Sequence, residues 1–159
     1  MASNDPDRPT DGGRRRASPA VIVPCLLLAA SLASQPARAA TYTLPGVNTA
    51  SGPFAGCTVS GGTISCPGNL SFGNDDELLL STTPVILQIT GDLVFGNDFE
   101  ANGGGTPGDL TIDVGGDVDP GNDAEIAAEL EVAGNLERSD RRRFEGDLDV
   151  GGDATLGNG

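Results

Sequence analysis

The stretch DVGGDVDPGNDAEIAAEL, Asp113 to Leu130, is followed at once by EVAGNLERSDRRRFEGDL, Glu131 to Leu148. Then DVGGDATLGNG, residues 149–159, begins the same phrase a third time. Each restart falls 18 residues after the last. Within the phrase, aliphatic residues alternate with polar ones and run into Gly followed by Asp or Asn. Alternation over a short run marks a half-buried strand, and Gly beside Asx marks the turn that ends it. Strand and turn at a fixed period indicate stacked repeats that bury their apolar faces only against each other.

Working outward, the core phrase aliphatic-x-aliphatic-x-Gly-Asx-aliphatic occurs five times. It reads Leu87-x-Ile89-x-Gly91-Asp92-Leu93, Ile112-x-Val114-x-Gly116-Asp117-Val118, Leu130-x-Val132-x-Gly134-Asn135-Leu136 and Leu148-x-Val150-x-Gly152-Asp153-Ala154. An earlier copy, Ile64-x-Cys66-x-Gly68-Asn69-Leu70, places a cysteine in an aliphatic slot. The glycines are spaced 23, 25, 18 and 18 residues apart. A second phrase recurs as Phe72-Gly73-Asn74-Asp75, Phe95-Gly96-Asn97-Asp98, Pro120-Gly121-Asn122-Asp123 and Leu156-Gly157-Asn158-Gly159; Arg138-Ser139-Asp140-Arg141 departs from it. The longer intervals carry NGGGTPGD, Asn102 to Asp109, and DELLLSTTPV, loops that a turn tolerates.

The fold class expected from this pattern is all-β: a β-solenoid (β-helix) of about 18 residues per coil. Residues one coil apart then sit about 4.8 Å apart. Val114, Val132 and Val150 form one inward column; Val118, Leu136 and Ala154 a second; Ile126 and Phe144 a third. Gly91-Asp92, Gly116-Asp117, Gly134-Asn135 and Gly152-Asp153 are the repeat turns. A helix competes for DAEIAAELEVAG, Asp123 to Gly134, which has an Asp cap, good helix formers and a closing Gly. The equivalent RRRFEGDL is not helical in pattern, and stacked repeats share a backbone path, so strand is expected. Stacking also places Arg141 over Asp123 and Arg143 over Glu125, and sets like charges together: Asp119 with Glu137, Glu129 with Asp147, and Asp113 with Glu131 and Asp149.

CTVSGGTISC, Cys57 to Cys66, reads as a hairpin turned by Gly61-Gly62. Counting outward from the turn sets Cys57 opposite Cys66, at a separation that a disulfide accepts. A staple is expected, since the spacing is not that of a C-x-x-C redox pair and the further ligands of a zinc site are missing. The hairpin is expected to cap the repeats at their N-terminal end.

Arg14 to Arg16, the apolar run AVIVPCLLLAASLA (Ala20 to Ala33) and Ala37-Arg38-Ala39 make a secretory signal peptide over residues 1–39, with Cys25 removed along with it. The run is short for a membrane span. Residues 40–67 are then the N-terminal segment with the hairpin, and 68–159 the repeats. From Ala40 onward 20 Asp plus Glu face four Arg, a net of −16, and there is no Lys or His in the chain. Such a surface repels nucleic acid and anionic membrane, so neither is expected as a partner.

Histidine triads, histidine metal sites and a P-loop are excluded by composition. Gly103-x-Gly105-x-x-Gly108 formally fits a dinucleotide motif, but contains Pro107 and precedes a strand where a helix is needed. Acid pairs leave a glycosidase-like dyad open on residue type alone, yet the acids recur at turn positions, and no catalytic residue is assigned. No cofactor is expected. Calcium remains a candidate for the oxygen-rich turns, although GGDVDPGND does not match the calcium-binding repeat phrase.

GCTVSGGTISC, LSFGNDDELLL and VILQITGDLVFGNDFEANGGGTPGDLTIDVGGDV together resemble the exported repeat region of MSHA-type pilus biogenesis (MshQ-like) proteins, over about Gly56 to Gly159. The repeats alone are also similar to bactofilin-type polymer-forming proteins, which are cytoplasmic and carry no such signal. The first resemblance implies a periplasmic, outer-surface or extracellular location and a longer parent protein, of which a chain stopping at LGNG is a truncated form. The expected function is a non-enzymatic structural or adhesion-related module of a bacterial cell-surface or pilus system. Its partners are other such proteins or a second copy meeting its exposed end repeat. The alternatives are a cation- or glycan-binding module using the acidic turns, or a small carbohydrate-active enzyme.

Overall fold

The computed structural model of the protein describes residues 39–137 and 140–155. The signal expected over residues 1–39 lies outside them but for Ala39, as do Arg138, Ser139 and the final LGNG. Fourteen strands follow one another among the described residues: β1 (Thr41–Leu44), β2 (Thr58–Ser60), β3 (Thr63–Cys66), β4 (Leu70–Ser71), β5 (Glu77–Leu80), β6 (Val85–Ile89), β7 (Leu93–Val94), β8 (Glu100–Ala101), β9 (Leu110–Val114), β10 (Val118–Asp119), β11 (Glu125–Ala127), β12 (Glu129–Val132), β13 (Arg143–Glu145) and β14 (Leu148–Val150). One 3-10 turn, Pro107–Asp109, precedes β9. No helix among these residues is long and apolar enough to cross a membrane.

The strands form three sheets: β1-β5-β8-β11-β13, β10-β7-β4 and β14-β12-β9-β6-β3-β2. Their pairs are parallel except β2 with β3, which is antiparallel. Parallel partners differ by 36 residues at Thr41 and Glu77, 23 at Ile64 and Leu87, 25 at Leu87 and Ile112, and 18 at Ile112 and Leu130.

This corrects the expected fold class. The chain is a three-sheet β structure of mixed pairing, not a β-solenoid of about 18 residues per coil. The 18-residue phrase governs only the strands from β9 onward; upstream, excursions of unequal length separate the partners. Nor is the hairpin a cap. Its strand β3 is a paired member of the six-stranded sheet, β2 is that sheet's edge, and β1 precedes both in a different sheet.

The core is made of partnered inward residues. Ile64, Leu87, Ile112 and Leu130 follow one another across the six-stranded sheet, and all are buried. The same holds for Leu70, Leu93, Val118 and Leu136 across the three-stranded sheet and its bridge. The residues paired beyond them are open: Leu148 is 39% exposed and Ala154 is exposed. Near the first strands, Tyr42, Phe54 and Phe72 meet with ring centroids 5.6–5.7 Å apart. Phe54 is 1% exposed and shields this side. The helix-like DAEIAAELEVAG forms β11 and β12. Helix propensity differs by only tenths of a kcal/mol per residue, whereas these strands pair on both sides and bury Ile126, Leu130 and Val132.

Candidate functional site

The repeat turns have a defined structural task. The Asp92 backbone N–H donates to Asn69 Oδ1 at 3.0 Å, Asp117 N–H to Asp92 Oδ1 at 3.0 Å, Asn135 N–H to Asp117 Oδ1 at 2.7 Å, and Asp153 N–H to Asn135 Oδ1 at 2.9 Å. A second ladder joins Asn97 N–H to Asn74 Oδ1, Asn122 N–H to Asn97 Oδ1 and Asp140 N–H to Asn122 Oδ1, at 3.0–3.1 Å. These Asx side chains bond the backbone of the next pass, each giving one oxygen as acceptor. Among the described residues, no group of three or more His, Cys, Asp or Glu is arranged to hold a metal ion.

The turn glycines are close-approach positions. A Cβ on Gly116 would lie 2.8 Å from the Gly91 carbonyl carbon, and one on Gly134 2.7 Å from that of Gly116. Gly91 and Gly152 face the same contact from the preceding turn. The columns named from sequence are placed as partners: Val114 with Val132 and Val132 with Val150, Ile126 with Phe144, and Val118 with Leu136.

Cys57 and Cys66 are joined by a disulfide, with Cα atoms 4.2 Å apart. The hairpin register is Ser60–Thr63, Val59–Ile64 and Thr58–Ser65. Both cysteines are buried, and the bond is compatible with an oxidising, exported location.

A concavity of about 750 Å³ forms a groove crossing the six-stranded sheet. Along one side run the outward residues Ser65, Gln88, Asp113, Glu131 and Asp149, each the partner of the next. Along the other run Pro67, Thr90, Gly115, Ala133 and Gly151, whose short side chains leave the space open. Ile89, Val114 and Val132, almost wholly buried, show their edges on the floor. At one end the polar column is neutralised: Ser65 Oγ donates to Gln88 Oε1 at 3.2 Å, and Gln88 Nε2 to Asp113 Oδ2 at 3.4 Å. Beyond, Asp113, Glu131 and Asp149 continue as consecutive carboxylates. The charge column is visible in the sequence; the groove's signal is the pair of x positions in aliphatic-x-aliphatic-x-Gly.

Three acids away from the groove are paired with arginines. Arg141 Nη2 contacts Asp123 Oδ2 at 2.9 Å, and Arg143 Nη1 contacts Glu125 Oε1 at 3.0 Å, as the repeat spacing required; Arg143 also contacts Glu145. Arg142 lies 5.6 Å over the Phe144 ring and donates to the Glu137 carbonyl, and burial lowers its pKa.

A buried carboxylate missed from sequence is Asp76, 4% exposed. It accepts from Gly73 N–H at 2.6 Å and Ala40 N–H at 2.8 Å, with Tyr42 Oη 3.5 Å away. Burial and the nearby Asp76 charge raise the Tyr42 pKa. The signal was present: Asp76 occupies the place that Phe99 and Ala124 take in later passes. A smaller pocket of about 300 Å³ lies over the second ladder, beside Asn74, Asn97 and Asn122.

No protein-family model, curated protein or solved structure matches this chain.

Proposed function

We propose that the chain is a non-enzymatic, exported structural or adhesion-related module of a bacterial cell-surface or pilus system, and that the groove across the six-stranded sheet is its contact surface. The observation that carries this reading is the groove itself: a wide, open channel on a scaffold of registered strands, where an extended partner is accommodated more readily than a small substrate. The disulfide supports export. The corner carboxylates of Asp92 and Asp117, engaged as acceptors for backbone N–H groups, support a structural role for these turn acids.

Expression of the full chain in a bacterial host, with fractionation and thiol alkylation, tests this. Protein outside the cytoplasm, oxidised at Cys57 and Cys66 and retained on the envelope, is expected. Ala133→Phe, which fills the groove from an exposed position, is expected to lower that retention. Reduced protein confined to the cytoplasm overturns the reading, as does retention indifferent to Ala133→Phe.

A further inference from the structure

We infer that the groove receives an extended peptide segment of a partner protein carrying Lys or Arg at alternate positions. The inference rests on the groove being the contact surface, and adds the chemistry of what occupies it.

The groove is the site, and its walls select the occupant. Its floor is apolar, formed at Ile89, Val114 and Val132, and its 750 Å³ suits a short run of extended residues. One wall carries Asp113, Glu131 and Asp149 on three adjacent strands, about 4.8 Å apart from strand to strand and so about 10 Å from first to last. An extended peptide repeats side chains on one face about every 7 Å. Two basic residues at i and i+2 therefore reach all three carboxylates, with their methylene stems lying on the apolar floor.

The contrast within the molecule strengthens the assignment. Asp123 and Glu125 have arginines from the next pass within 3.0 Å, whereas among the described residues no Lys or Arg lines the groove. Like charges facing each other on adjacent strands repel, so a cationic occupant relieves that cost along the Asp113, Glu131 and Asp149 column.

Other occupants fit less well. Calcium requires oxygens converging to about 2.3–2.6 Å from one centre, and no such acidic group is found among the described residues. Phosphate-bearing polymers are repelled by the wall. Among the described residues, no aromatic ring lines the groove to stack on a sugar.

The test is fluorescence anisotropy of the full chain with a labelled (Lys-Ser)4 peptide, alongside (Glu-Ser)4 and calcium chloride alone. The combined variant Asp113→Asn, Glu131→Gln, Asp149→Asn is compared with Asp75→Asn, Asp98→Asn, Asp140→Asn, which removes the same charge from exposed sites away from the groove. Both are first shown to melt cooperatively. Binding of the basic peptide that weakens at least tenfold in the groove variant and less than threefold in the control supports the proposal. Equal weakening in both overturns it, leaving only long-range charge. Binding of the acidic peptide, or calcium binding through the same three residues without peptide binding, also overturns it. If the basic peptide fails while Ala133→Phe still lowers envelope retention, the partner chemistry is wrong and the contact surface stands. If Ala133→Phe changes neither readout, both readings fall.

Discussion

Gly116 illustrates how the repeat is specified by contact. Gly91, Gly116, Gly134 and Gly152 are not among the positive-φ residues. The constraint is the neighbouring backbone, 2.8 Å from where a Cβ would sit on Gly116. Gly116→Ala is therefore expected to cost about 2 kcal/mol or more through backbone displacement. Gly68→Ala, with nothing within 4 Å, should be neutral or stabilising by up to about 1 kcal/mol. Urea denaturation of both variants checks this, and equal effects would refute the contact argument. Positive φ belongs to the second phrase, at Asp75, Asp98 and Asp123, with values of 55–58°. Arg141 takes the same conformation, at 52°, although arginine gains no Asx hydrogen bond there. Its contact with Asp123 recovers only a fraction of a kcal/mol at such exposure.

The β2–β3 hairpin was the most legible element, because Gly61-Gly62 and two cysteines at equal distance from the turn leave one simple register. Replacing both cysteines with Ser should remove about 2–3 kcal/mol, given the nine-residue separation. Denaturation with and without reductant measures this: reductant should lower the native protein to the level of the variant and leave the variant unchanged. A native protein indifferent to reductant contradicts the stapling role. Other elements were less readable. Strand β1, TYTL, pairs with β5 at an offset of 36 residues, and neither belongs to the repeated phrase, so no periodicity announced them. The helical composition of β11 and β12 was overridden by pairing on both sides, which only the neighbouring strands reveal. The solenoid expectation, with its longer intervals taken as loops, failed because the strands form three sheets of mixed pairing, and the regular period is present only downstream of Asp113.

A net charge of −16 from Ala40 onward makes ionic strength a property of the whole molecule. The screening length falls from about 30 Å at 0.01 M salt to about 3 Å at 1 M. The melting temperature should accordingly rise by about 4 °C or more over that range, as a gain of about 1 kcal/mol would produce in a domain of this size. A flat or falling curve by scanning calorimetry would show that the acids do not strain the fold. The candidate site was half legible for a similar reason. The acids of its wall were visible as a column in the repeat, but a groove arises only when an outward polar column lies beside a column of short residues, and that adjacency is set by the turn between them. The two Asx ladders carry a last consequence. The first joins Asn69 to Asp92, Asp92 to Asp117 and Asp117 to Asn135 across 23, 25 and 18 residues, and the second joins Asn74 to Asn97, Asn97 to Asn122 and Asn122 to Asp140 across the same intervals, with nearly the same geometry. What loops out between two anchor points is thus invisible to the anchors. A foreign epitope spliced into the exposed Gly103–Gly104 tip would be carried as a passenger, making this fold a natural holder for antigen display.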